Sequence, residues 1–391
     1  MILSELTADL KYKWEQLRKA MLQAGADGCL LTTAANLYYI TGRVYNGYFY
    51  LPPEGEPWFF VKRPSGLHGR GVEYIRKPEQ MAEVFAANSL KMPGHLLLEA
   101  EELPYQDYVR LEAIFKPRHT GNATAIIRAQ RMIKTEWEIG QLRASARLHA
   151  KTYADIPACY RPGMTDLDFQ CEIERLMRRN GSIGIFRTFG ANMDIFQGSI
   201  LAGDNAAEPS PFDFALGGGG MGPFAPIGAN GTLLKEGMAV MVDMAGNYTA
   251  YITDMTRTFS IGELPDLAHR AHRASLDIQY ETERLARPGM PCADLYHLAA
   301  GVAGREGLAP YFMGTRQQAR FVGHGIGIQI NELPVLTPRS SDVLQAGMAF
   351  ALEPKFVIPG VGAVGIENSF LVTGTGIEKL TLAEEEIISL I

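Results

Sequence analysis

Two hydrophobic periods alternate along the chain. Apolar residues recur at helical spacing from Lys11 to Ala24, and the short runs Gly28-Cys-Leu-Leu-Thr32, Trp58-Phe-Phe-Val61 and Leu96-Leu-Leu-Glu99 read as strands. Together they predict a small α/β domain. Beyond it, Thr135-Glu-Trp-Glu138 is a capping box that opens a helix with Ile139, Leu142, Ala146, Ala150 and Tyr153 on its apolar side. The boundary is placed after residue 126, giving domains 1–126 and 127–391.

The second domain carries an internal echo. Arg161-Pro-Gly-Met164 and Arg287-Pro-Gly-Met290 each follow one helical pattern and precede another, so each reads as helix, Pro-Gly turn, helix.

Strand patterns dominate the last 150 positions. Ala239 to Ala245 and Ala250 to Phe259 are β-branched and aromatic runs around Gly246-Asn-Tyr-Thr249, a hairpin signal. A turn centred between Tyr248 and Thr249 sets Asp243 opposite Asp254. Met348 to Glu353 and Ala363 to Val372 flank Ile358-Pro-Gly-Val-Gly362, and a hairpin centred on Gly360 sets Glu353 opposite Glu367. Like charges facing each other weaken a sheet, so two acid pairs in apolar strands call for a cation. His324 stands in Phe321-Val-Gly-His-Gly-Ile-Gly-Ile328, where flanking glycines leave the imidazole bare. One imidazole with four carboxylates suits Mn, Co, Zn or Fe.

Composition narrows the function classes. The chain has 391 residues, 47% hydrophobic and 20% charged, enough for two domains with real cores. A net charge of -6 argues against a nucleic-acid partner. Cys29, Cys159, Cys171 and Cys292 form no Cys-x-x-Cys pair and read as reduced thiols. The first ten residues have no basic segment followed by an apolar stretch, and no apolar run is long enough to span a bilayer. A cytoplasmic protein without a membrane partner is expected. Gly217-Gly-Gly-Gly220 lacks the Gly-Lys-Ser/Thr of a phosphate loop and is expected to be a flexible loop at the active-site mouth, next to a substrate-selecting stretch from Gly203 to Phe212.

The order Asp-x10-Asp with Thr-Arg-Thr, then Gly-His-Gly-Ile-Gly, Leu-Glu-Pro and Ile-Glu resembles the M24 metallopeptidases, the pita-bread family of methionine aminopeptidase, Xaa-Pro aminopeptidase, prolidase and creatinase. Asn36-Leu-Tyr-Tyr-Ile-Thr-Gly42 resembles a stretch of the creatinase and prolidase amino-terminal domain. The resemblance implies an α/β amino-terminal domain followed by an α+β pita-bread domain with a pseudo-twofold internal repeat. It implies two divalent metal ions per chain, with Asp254 and Glu367 bridging, Asp243 completing one ion, and His324 with Glu353 completing the other. A metal-bridging hydroxide would attack, with Glu353 as general base. Thr256 and Arg257 would orient the ligands.

The implied function is hydrolysis of small peptides, in the manner of Xaa-Pro aminopeptidases and dipeptidases, by a homodimer in which His68 lies near the partner's active site. The alternatives are a creatinase- or ectoine-hydrolase-like C–N hydrolase or lyase acting on a non-peptide metabolite, and an inactive pita-bread binding protein.

Three positions depart from the family pattern. A histidine about eighteen residues before the first aspartate is absent, because Pro223-Phe-Ala-Pro226 stands there. Asn331 replaces a second histidine, and Gly365 replaces an arginine. Asn331 is assigned what is left of oxyanion binding, since an amide can donate a hydrogen bond but cannot carry a proton. His149, His269, His272 and His297 fall in helical patterns and are expected to be solvated or structural.

Overall fold

The computed structural model describes residues 4–190 and 196–391. These divide into two compact units, Met1–Arg131 and Met132–Ile391. The division falls a few residues beyond the expected position because helix α5, Ala123–Met132, runs through residue 126 unbroken.

The first unit contains α1 (Ser4–Gln23), β1 (Gly28–Leu31), α2 (Ala34–Thr41), β2 (Asn46–Leu51), β3 (Trp58–Arg63), β4 (Val72–Tyr74), α3 (Gln80–Ala87), β5 (His95–Leu98), α4 (Tyr105–Phe115), β6 (His119–Asn122) and α5. Its strands form one mixed sheet in the order β4-β3-β2-β1-β5-β6, the α/β pattern that the apolar runs predict. Each central strand is short and apolar, and Leu30, Leu96, Leu98 and Phe60 are buried with Phe85 and Phe115 from the covering helices. The Asn36 stretch is structural here. Asn36 is fully buried, its amide donating to Glu99 Oε1 at 2.7 Å and its Oδ1 accepting from Arg131 at 2.8 Å.

The second unit runs α6 (Glu136–Ala154), α7 (Asp166–Arg179), β7 (Gly198–Ala202), β8 (Met238–Gly246), β9 (Thr253–Ile261), α8 (Asp266–Leu285), α9 (Cys292–Arg305), β10 (Gly323–Gly325), β11 (Glu332–Val335), β12 (Ala349–Leu352), β13 (Lys355–Ile358), β14 (Gly362–Gly365), β15 (Asn368–Val372), β16 (Ile377–Lys379) and β17 (Ile388–Ser389). One sheet has the order β17-β9-β8-β7, another β11-β10-β12-β15-β16, and β13 pairs with β14. The Thr135 capping box forms as predicted, with Glu138 closing it from the first turn. Small residues on α8, Ala268, Ala271 and Ala274, let that helix pack closely into the core shared with Leu352, Phe356 and Val364.

The duplication extends further than the two Pro-Gly turns. Leu234 N–H donates to Met164 O at 3.0 Å, and Leu344 N–H donates to Met290 O at 2.9 Å, so each turn is tied to the segment that enters a strand, β8 or β12. Those segments match in sequence, Leu234-Lys-Glu-Gly-Met-Ala239 against Leu344-Gln-Ala-Gly-Met-Ala349, and Asp243 and Glu353 follow at the same distance. Gly237 and Gly347 both take left-handed φ values, 85° and 91°, which a side chain would strain.

Candidate metal centre

The first hairpin is wider than its sequence suggests. Asn247–Ile252 form the connection, and the register pairs Asp243 with Thr256 and Ala245 with Asp254. Asp243 and Asp254 are therefore diagonal neighbours rather than directly opposed. The two-residue shift keeps both on one face, because side-chain direction repeats every second residue.

The second hairpin has the predicted register. Lys355 pairs with Gly365 and Leu352 with Asn368, which brackets Glu353 against Glu367. Both glutamates lie in the gaps between ladders rather than on a strand, Glu353 between β12 and β13 and Glu367 between β14 and β15. Their backbones are still held: Glu353 N–H donates to Val322 O at 2.9 Å and Glu367 N–H donates to Thr256 O at 3.1 Å. Pairing of β10 with β12 sets His324 against Ala351, beside Glu353.

The five predicted ligands converge on one pocket, which is also lined by Asn331 and by Phe186, Phe196, Phe214 and Phe321. His324 Nε2 lies 3.7 Å from Asp254 Oδ2 and 3.6 Å from Glu353 Oε1. Its Nδ1 faces Gly325 O at 3.1 Å, and a carbonyl can only accept, so the proton belongs on Nδ1 and the Nε2 lone pair points at the carboxylates. Asp254, His324 and Glu367 offer ligand atoms within 4.8 Å of one another, and so do Asp243, Glu353 and Glu367.

The electrostatics show how heavily this cluster is loaded. Burial, followed by the charges of Glu367, Asp243 and Glu353, raises the Asp254 carboxyl well above the usual range. Burial also pushes Glu367 up to about 8, with Lys355 opposing and Glu353 reinforcing the rise. Thr256 Oγ1 donates to Glu367 Oε2 at 2.7 Å, and buried Arg257 donates to the Glu367 and Thr256 carbonyls, each at 2.8 Å. Tyr153 pins the β8/β9 ribbon from behind, donating to Met255 O and accepting from Met244 N–H at 3.0 Å.

A sixth charged group, unforeseen in the sequence, belongs to the centre. Lys355 Nζ lies 2.8 Å from Asp243 Oδ2, 2.7 Å from Glu353 Oε2 and 3.2 Å from Glu367 Oε2. Burial alone would lower its affinity for a proton, but the three carboxylates outweigh burial and hold it well above the usual amine value. The signal was available, since Lys355 stands two residues after Glu353 and a two-residue period puts both on one face.

The residues fit a divalent cation, and Lys355 stands against three of the carboxylates that would hold one. Glu367 Oε1 is buried with no hydrogen-bond partner, which is costly unless a cation supplies one, and Glu367 is common to both trios. The trio without His324 already surrounds an ammonium group. The expected pair of ions would require that ammonium group to move.

Three further positions are explained by their surroundings. Asn331 lines the pocket, but its carboxamide is engaged with the wall: Oδ1 accepts from Phe189 N–H at 2.7 Å and from Thr188 Oγ1 at 3.1 Å, and Nδ2 donates to Phe189 O at 2.8 Å. Its first task is to hold that segment. Gly217, Gly218 and Gly220 are buried, with Gly217 O and Gly220 N–H both bonded to Gly228, so this stretch is a packed connection instead of a free loop. At Gly365, φ is 127° and a Cβ would come within 2.5 Å of Pro354 O, which leaves no room for the family's arginine.

The four histidines in helical patterns follow expectation. His149 and His272 are buried and structural, bonded to Thr253 Oγ1 and Glu385 O, while His269 and His297 are exposed. All four cysteines are free. No described helix is long and apolar enough to cross a membrane.

Known proteins resemble this chain over nearly its whole length. An uncharacterized peptidase of Staphylococcus aureus (strain USA300) is 27% identical over 375 residues, covering 92% of this chain and 96% of that protein. The Xaa-Pro dipeptidase from Bacillus anthracis superposes with a TM-score of 0.80 at 24% identity, covering 97% of this chain and 99% of that one. The prolidase from Pyrococcus horikoshii OT3 gives 0.78 at 23%, covering 96% and 100%. Residues 13–133 match the Creatinase/Prolidase N-terminal domain. Residues 140–374 match metallopeptidase family M24, and the chain belongs to that family of hydrolases.

Proposed function

We propose that the chain is a metal-dependent hydrolase of small peptides with a preference for Xaa-Pro bonds. The observation that carries this reading is the meeting of Asp254, His324, Glu353 and Glu367 on the wall of one pocket, with the Glu367 Oε1 atom left unpartnered. Asp254, His324 and Glu367 would hold a divalent cation, which polarises a scissile carbonyl and acidifies water when bound.

The chain's own residues supply the rest. Glu353 presents Oε1 toward His324 while Lys355 holds Oε2, so one oxygen is fixed and the other is free to accept the proton of the attacking water and deliver it to the leaving nitrogen. Thr256 and Arg257 keep Glu367 in place from the side away from substrate. Phe186, Phe196, Phe214 and Phe321 form an apolar wall suited to a proline ring. A non-peptide amide is the second reading, favoured by the missing imidazole near Ala225 and by the engagement of Asn331 with the protein's own backbone. A homodimer is part of the proposal, and light scattering checks it.

The test is an assay of purified protein with Mn, Co or Zn against Xaa-Pro dipeptides, Xaa-Pro tripeptides and small non-peptide amides. Cleavage of Xaa-Pro bonds that chelator abolishes is the expected result. Turnover of amides alone would move the assignment to the second reading, and no turnover of either class would refute both.

A further inference from the structure

Among the described residues, one charged group in the centre has no counterpart in the ligand set implied by the family. Lys355 reaches the carboxylates from the strand side and does not line the pocket. Its side chain is 1% exposed, and its nitrogen is within bonding distance of one oxygen from each of Asp243, Glu353 and Glu367.

We propose that the Lys355 ammonium group is the resident cation of the Asp243–Glu353–Glu367 trio, so that this chain binds a single divalent ion, at Asp254, His324 and Glu367. The inference rests on the reading of that second trio as a metal site.

Sterics and charge both support it. Carboxylate oxygens bind a transition metal at about 2.0–2.2 Å, so an ion in the first trio would sit where the nitrogen now is. An ammonium has three donors and no lone pair, so it cannot become a ligand and has to leave. The side chain is buried, and leaving would strand its charge away from the carboxylates that compensate it.

Lys355 does not satisfy every oxygen it stands near. It holds Oε2 of Glu367, the residue that the two trios share, while the other oxygen, Oε1, is buried without a hydrogen-bond partner. The unmet demand for a cation therefore falls on an oxygen that Lys355 does not hold.

The experiment counts manganese. Chelator-stripped wild type and Lys355→Met are equilibrated with MnCl2, bound ions per chain are measured by elemental analysis, and the Mn(II) electron paramagnetic resonance spectrum is recorded. Wild type is expected to hold one ion with the spectrum of an isolated Mn(II). Lys355→Met, of similar length without the charge, is expected to take a second ion at least about a hundredfold more tightly than wild type and to show exchange coupling between neighbouring ions. Two coupled ions in the wild type overturn the inference, and this measurement decides even if the variant does not fold. One ion in both proteins overturns the assignment of the exclusion to Lys355. No ion in wild type refutes the metal reading itself, a result distinct from two ions.

Discussion

The two halves of the second unit lay down the same scaffold and end in different chemistry. Leu234-Lys-Glu-Gly-Met-Ala239 and Leu344-Gln-Ala-Gly-Met-Ala349 each lead into a strand, and an acid follows at the same distance, Asp243 in one half and Glu353 in the other. Two residues later the halves part. The first has buried Ala245, paired with Asp254, and β8 continues unbroken. The second breaks at Pro354 and places Lys355, whose ammonium group crosses to three carboxylates. One half thus contributes anions only, and the other contributes anions with a built-in cation. A repeated backbone fixes where charge can be placed but not its sign.

The largest expected effect separates the two matching acids. In a symmetric two-metal centre, Asp243→Asn and Glu353→Gln would be similarly damaging. In the proposed mechanism Glu353 carries the proton and Asp243 mainly faces Lys355, so Glu353→Gln should lower kcat by about 10³-fold, near 4 kcal/mol, and Asp243→Asn by about tenfold. Equal losses in steady-state kinetics would break the asymmetry.

A second test sets the acid cluster against the buried histidines. Glu367 titrates near 8 when folded against 4.5 as a free residue, so the folded state binds the extra proton and stability falls as pH rises through that interval. His149 and His272 work the other way, lowered to about 3 and about 4 from 6.5 by burial, so their contribution grows as pH rises and is complete above 6.5. Between pH 6.5 and 8 only the first slope remains for these groups. Metal-free protein should lose stability across that window in urea melts, and Glu367→Gln should flatten the loss. A melt midpoint that rises from pH 6.5 to 8 in the wild type would contradict the loading of the site.

Thr256 sharpens the comparison at the point where the halves touch, because its hydroxyl on β9 holds Glu367 from the other half. Thr256→Val should weaken manganese binding by about tenfold, the value of one hydrogen bond to a charged group, with little change in fold. Unchanged affinity by calorimetry would show that Glu367 is held by its backbone alone. The smallest effect is expected at Asn331. Since its carboxamide is engaged with Thr188 and Phe189, Asn331→Ala should raise KM by about threefold to tenfold while kcat falls less. A fall confined to kcat would restore the oxyanion role instead.

The sequence by itself determined the two-domain organisation, the capping box at Thr135, the second hairpin centred on Gly360, and all five acid and imidazole positions in the pocket. These were legible because each rests on a local rule: a period, a turn residue or a motif spacing, acting within about ten residues. The first hairpin was displaced by two residues because Gly246-Asn-Tyr-Thr249 reads as a tight turn, whereas the connection takes all of Asn247–Ile252. Only the tertiary structure decided the rest. That Lys355 neutralises Asp243, 112 positions away, that Asn331 is bonded to Phe189, and that Gly217–Gly220 is packed against Gly228 are contacts between segments distant in sequence or set by close backbone approach. Ammonium and carboxylate attract through space, and local pattern gives the direction of each side chain but not the charge it will meet.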